Sequence, residues 1–148
     1  MTSGTRLAYV NLFSQDPERL SSFYAALFGF PEIAGHRSPI YRCLDAGGLE
    51  LGFNAQQAYE LLGLGDRKPQ ADKPVSAYFT FEVASSAEVD ALASRATELG
   101  GAIIKPPYDT YYNARQSVLT DPERNVFRIN HRVGPRKPAS EVERPPWA

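Results

Sequence analysis

Ala8-Tyr9-Val10-Asn11-Leu12-Phe13 and Ala77-Tyr78-Phe79-Thr80-Phe81-Glu82 read as two versions of one strand. In a strand, successive side chains alternate between faces, so each stretch presents two sides. Ala8, Val10 and Leu12 point one way, toward packing helices, and Tyr9, Asn11 and Phe13 the other. Phe79, Phe81 and Val83 likewise oppose Tyr78, Thr80 and Glu82. Each strand is followed within a few residues by a helix start, then by an amphipathic helix that ends at glycine. A repeated strand–helix unit in 148 residues implies a single domain over 1–148. Its two similar halves, about 5–57 and 75–132, face each other across a cleft, and an irregular Pro-rich tail occupies 133–148.

Outward from these strands, Asp16 reads as an N-cap with Pro17 in the first helical turn. Leu20, Phe23, Tyr24, Leu27 and Phe28 follow at helical spacing as a core stripe, and Gly29 stops the helix. Short strand-like runs are expected near 32–35, 40–44 and 49–53, with a turn at Gly47-Gly48. Residues 56–74 break the pattern and mark the boundary between halves, with a helical turn at 58–62. In the second half, Ser85 and Glu88 fit a capping box, and Val89, Leu92, Ala93, Ala96 and Leu99 form the next stripe, closed by Gly100-Gly101. Strands are expected over 102–105, 115–119 and 126–130, with a loop at 106–113 and a turn at 121–125.

Composition narrows the function classes. An apolar content of 43% with 22% charged residues is that of a globular chain able to bury a core. The formal net charge is −1, with Lys and Arg scattered, so no basic stripe argues for nucleic acid or an anionic membrane. Cys43 is the sole cysteine, which rules out an intramolecular disulfide and fits a reducing compartment. The first residues lack the apolar core of a signal peptide, and no run approaches membrane-spanning length. A soluble cytoplasmic protein is expected.

Three stretches resemble the vicinal oxygen chelate superfamily, the group of glyoxalases, bleomycin-resistance proteins and extradiol dioxygenases. Asp16 to Phe30 resembles its first helix, with the Phe23-Tyr24 pair and the Leu27-Phe28-Gly29-Phe30 ending. Gly100-Gly101-Ala102, followed by a strand and prolines, resembles the second-half connection. Leu119 to Val126 resembles the Asp-Pro-x-Gly-Asn turn before the last strand, with Arg124 replacing the usual glycine. The resemblance implies an α+β fold of two βαβββ modules in a pseudo-twofold arrangement, forming a curved mixed-sheet cleft.

Metal-using members of that superfamily hold a divalent ion in the cleft with His and Glu. Carried over by the resemblance, the two histidine positions are Tyr9 and Tyr78, and the final-strand glutamate position is Arg128. The first-half glutamate has no clear match, Glu50 being the nearest carboxylate. Tyrosines and a guanidinium do not make such a site, and an arginine side chain has no lone pair to offer. His36, near a turn, and His131, at the end of the last strand, lie outside the matching positions and read as surface residues. No bound metal and no cofactor are expected.

The candidate ligand-binding residues on the cleft face are Tyr9, Asn11, Phe13, Glu50, Tyr78, Thr80, Glu82, Tyr111, Arg128 and Asn130, with Tyr108 and Tyr112 at the rim. Aromatic rings with polar tips and a few fixed donors suit a planar small molecule with an acidic or carbonyl group. Arg128 either recognises that group in a two-point contact or pairs with Glu82 or Glu50. The tyrosines serve the site, the packing or a dimer interface. Three functions follow. The first is a metal-free binding protein for an aromatic or drug-like compound. The second is a lyase, isomerase or dioxygenase-type enzyme with unusual ligands or without metal. The third is a non-catalytic structural or regulatory dimer. The expected partners are a small-molecule ligand and a second copy of the chain.

Overall fold

The computed structural model describes residues 4–70, 74–135, 138–141, 143 and 145–147. In the first half, β1 (Tyr9–Phe13) leads to α1 (Pro17–Phe28), then β2 (Tyr41–Asp45) and β3 (Glu50–Asn54). Asp16 caps α1 by accepting from the Arg19 backbone N–H at 3.1 Å. Gly29 ends it with φ 74°, a left-handed conformation that favours glycine. β3 lies in the centre of a three-stranded sheet, parallel to β1 and antiparallel to β2. Leu20, Phe23, Tyr24 and Leu27 of α1 are buried together with Leu44, Leu51 and Phe53 of this sheet. The rings of Tyr24 and Phe53 stack at 5.7 Å.

The expected strand near 32–35 is a correction. Glu32 makes only an isolated bridge with Leu44, and the chain then turns through a short 3-10 helix, Ala34–His36. A one-turn helix of this kind satisfies its own backbone, since His36 N–H donates to the Ile33 carbonyl at 3.0 Å. Residues 32–35 therefore add no further strand to the sheet beside β2. The helical turn expected in 58–62 is present as α2 (Ala58–Leu61).

The second half runs β4 (Phe79–Glu82), α3 (Ser86–Glu98), β5 (Ala102–Asp109), β6 (Ala114–Thr120) and β7 (Val126–Arg132). The sheet order is β4-β7-β6-β5, with β4 parallel to β7 and the other pairs antiparallel. Ser85 caps α3 through the Glu88 N–H at 3.2 Å, and the Glu88 carboxylate reaches back to the Ala84 N–H at 2.8 Å. Val89, Ala93 and Ala96 of α3 are buried with Leu119, Phe127 and Ile129 of the sheet.

The loop expected at 106–113 is also corrected, because β5 continues through Pro106 and Pro107 to Asp109. Proline has no N–H for a ladder, but β5 is an edge strand, and its register shifts between Ile103 and Lys105 and again before Tyr108. Edge position and irregular pairing are the setting in which strands tolerate proline. The chain separates into two compact units, 1–74 and 75–148. In the tail, Ala139–Glu141 forms one 3-10 turn. Among the described residues no helix is long and apolar enough to cross a membrane.

Candidate functional site

The sheet of the second half carries a polar, aromatic face. In the β4–β7 register Thr80 is opposite Arg128 and Glu82 is opposite Asn130. In the β6–β7 register Gln116 is opposite Asn130 and Val118 opposite Arg128. Phe127 and Ile129, of opposite parity, are fully buried. Arg128 thus lies on the sheet face opposite the buried Phe127 and Ile129.

Its guanidinium is held through two of its three nitrogens. Nε donates to Thr80 Oγ1 at 2.6 Å, and Nη1 donates to Gln116 Oε1 at 3.2 Å and to the Tyr112 hydroxyl at 3.3 Å. The Tyr78 ring lies 5.3 Å from the guanidinium carbon, within cation–π range. Among the described residues of this half, no carboxylate comes within ion-pair distance of Arg128, and Nη2 has no protein acceptor. The expected alternative of a pair with Glu82 is not what the structure contains. Glu82 accepts from Asn130 Nδ2 at 2.7 Å and from the Arg132 backbone N–H at 2.6 Å. Glu50 is occupied within its own half, as described below.

Gln116, which the sequence reading missed, organises this face. It is buried, accepts from the Tyr112 hydroxyl at 2.7 Å, and donates through Nε2 to the Tyr108 hydroxyl. Tyr108 in turn lies under the Lys105 ammonium, 3.7 Å from its ring centre. Burial pushes the Tyr112 hydroxyl above the ordinary phenol range, so it remains a neutral donor. Tyr111 meets Tyr112 edge-on at 5.0 Å and is exposed. Asn130 is buried, and its Oδ1 has no partner among the described residues. His131 touches the Val83 carbonyl at 2.9 Å through Nδ1 and takes no part in this network.

The corresponding face of the first half divides into two groups. The Tyr41 hydroxyl donates to Asn11 Oδ1 at 3.2 Å directly above Gly52, where a Cβ would collide with both atoms. Phe13 is stacked on Tyr59, ring centres 3.7 Å apart, so it packs within its own unit. Tyr9 is exposed and lies opposite Glu50 in the β1–β3 register. The second group, not anticipated from the sequence, is His36, Cys43 and Glu50, whose Nδ1, Sγ and Oε2 atoms converge. Burial, and then the Glu50 charge, push the Cys43 thiol above its usual range.

The fold and these faces define the class. A family model for the Glyoxalase/Bleomycin resistance protein/Dioxygenase superfamily matches residues 6–129, and the chain belongs to that superfamily. A glyoxalase/bleomycin resistance protein/dioxygenase family enzyme from Burkholderia phytofirmans PsJN is 45% identical, with a TM-score of 0.83 over 86% of this chain and 99% of that one. A glyoxalase-related enzyme from Fulvimarina pelagi is 22% identical, with a TM-score of 0.73 over 85% of this chain and 87% of that one. Lactoylglutathione lyase from Agrobacterium tumefaciens is 17% identical, with a TM-score of 0.63 over 88% of this chain and 96% of that one. No curated protein matches the chain.

A metal ion at the superfamily's ligand positions does not fit this chain. At the position that the sequence resemblance assigns to the final-strand glutamate stands the Arg128 guanidinium, fixed by Thr80, Gln116 and Tyr112. It has only donors and a positive charge, and would repel the ion.

Proposed function

We propose that this chain binds a small planar molecule carrying an acidic or carbonyl group, with Arg128 as the recognising residue and no metal at the superfamily's ligand positions. The observation that carries this reading is the guanidinium held at Nε and Nη1, with no acceptor for Nη2 among the described residues of this half. An immobilised guanidinium has already lost its rotamer freedom, so a ligand acid gains its bond at lower entropic cost. Tyr78 and Tyr112 beside it supply aromatic surface for a planar body. Membership in a superfamily that includes bleomycin-resistance proteins supports sequestration as the biological role.

Catalysis at the same face is a second reading, supported by the Burkholderia relative's description as a family enzyme. In that case the Tyr112 hydroxyl, which accepts from Arg128 Nη1 and donates to Gln116, is the polar group beside Arg128 that would contact the reacting atoms. Nuclear magnetic resonance with 2-naphthoate as the probe tests the site. Shifts confined to Arg128 Nε–H, Thr80 and the neighbouring tyrosines support it, and shifts elsewhere contradict it. Recovery of endogenous bound compound unchanged favours sequestration, and its conversion favours catalysis.

A further inference from the structure

We infer that the first half holds a divalent cation of the zinc class on His36, Cys43 and Glu50. Three different elements supply the ligands. Cys43 is on β2 and Glu50 on β3, and because Cys43 pairs with Gly52 in the antiparallel register, the two side chains are diagonal neighbours on one face. His36 ends the 3-10 turn that the Ile33 N–H ties to the Cys43 carbonyl at 3.0 Å. That backbone bond carries the imidazole to the thiol.

The same three atoms close a triangle. His36 Nδ1 is 3.4 Å from Glu50 Oε2, Cys43 Sγ is 3.8 Å from His36 Nδ1, and Sγ is 3.9 Å from Oε2. The nitrogen–oxygen edge is longer than a good hydrogen bond, whose N···O distance falls at about 2.7–3.2 Å, and the two sulfur edges are weak contacts. All three are close to the edges of a metal tetrahedron. Zn–S of about 2.3 Å with Zn–N and Zn–O of about 2.0–2.2 Å places adjacent ligands roughly 3.3–3.6 Å apart. Contraction of the triangle by a few tenths of an ångström around a cation replaces these three weak contacts with three metal bonds. Thiolate, imidazole and carboxylate together select a borderline-soft ion over magnesium or calcium. The cation also favours loss of the thiol proton, which the buried apoprotein site disfavours. Three protein ligands leave a fourth tetrahedral position for water or a ligand atom, and His36, the half-exposed member, gives that position access to solvent.

The test uses the full chain purified without an affinity tag and titrated with cobalt(II) and zinc(II). Cobalt(II) is expected to bind at one ion per chain with a thiolate-to-cobalt charge-transfer band, which only Cys43 can supply because it is the sole cysteine. His36→Gln changes an exposed side chain and keeps the fold, as circular dichroism will check. It is expected to weaken zinc binding at least tenfold, and Cys43→Ser to abolish the band. Absence of stoichiometric binding to the wild-type chain, a cobalt(II) spectrum without the thiolate band, or equal affinity in His36→Gln overturns the inference.

Discussion

Arg128 and Thr80 are direct partners in the β4–β7 register, and the Arg128 Nε–H bonds the Thr80 hydroxyl at 2.6 Å. The parallel pairing of two strands far apart in sequence therefore sets the direction of the guanidinium. Thr80→Val preserves the shape and β-branching of the side chain but deletes the acceptor. The expected result is a weaker grip on an acidic probe with little change in unfolding midpoint, read by titration with 2-naphthoate and by urea denaturation. Unchanged affinity would show that Thr80 does not position Arg128.

Gln116→Leu is predicted to destabilise the fold by about 1–3 kcal/mol, because one buried amide serves Tyr108, Tyr112 and Arg128. Urea unfolding measures the loss. A change within experimental error would mean that the tyrosines and Arg128 replace the lost bonds with water at no cost.

Arg124 has φ 67°, in the turn whose Asp121 side chain accepts the Glu123 and Asn125 N–H groups at 2.8 and 3.0 Å. A side chain in the left-handed region costs about 1–2 kcal/mol that glycine does not incur. Arg124→Gly is expected to raise the unfolding free energy by up to about 1 kcal/mol, after the added unfolded-state entropy of glycine is subtracted. Lower stability in the variant would place a compensating contact at Arg124.

Stability is expected to fall in alkali. Burial is the main cause raising the hydroxyls of Tyr41, Tyr59 and Tyr112 above the ordinary phenol value of 10.0. Above that pH the unfolded chain gives up protons that the folded chain retains. Their contribution is complete below the unfolded value and is lost as pH rises through the folded ones. Urea midpoints measured upward from about pH 9 should decline progressively through and beyond the phenol value of 10.0. A flat profile would contradict the raised values.

The strands and helices were legible wherever one residue pattern had one solution. Alternation placed Tyr78, Thr80 and Glu82 on one side of the second-half strand, and Asp16 before Pro17 marked a helix start that the structure retains. Pro106 and Pro107 misled because their meaning depends on whether a strand is at an edge, which only the sheet order decides. The run at 32–35 misled because a 3-10 turn and a short strand share the same small and apolar residues. Arg128's face was legible from parity with Phe127 and Ile129, but its partners were not. Gln116 reaches it from a neighbouring strand, and Glu82 is taken by Asn130 and the Arg132 backbone. The His36–Cys43–Glu50 group was invisible for a related reason, since a turn and two paired strands bring its members together.

The most direct test of the account is a titration of 2-naphthoate against the wild-type chain and Arg128→Lys, with matched folding verified for both. A lysine ammonium retains the charge but loses the planar donor fork. The account predicts that Arg128→Lys weakens binding by roughly 1–3 kcal/mol, about 5- to 150-fold, the range for a bond to a charged group. Equal affinities in the two proteins would contradict it and move Arg128 from the site to the scaffold.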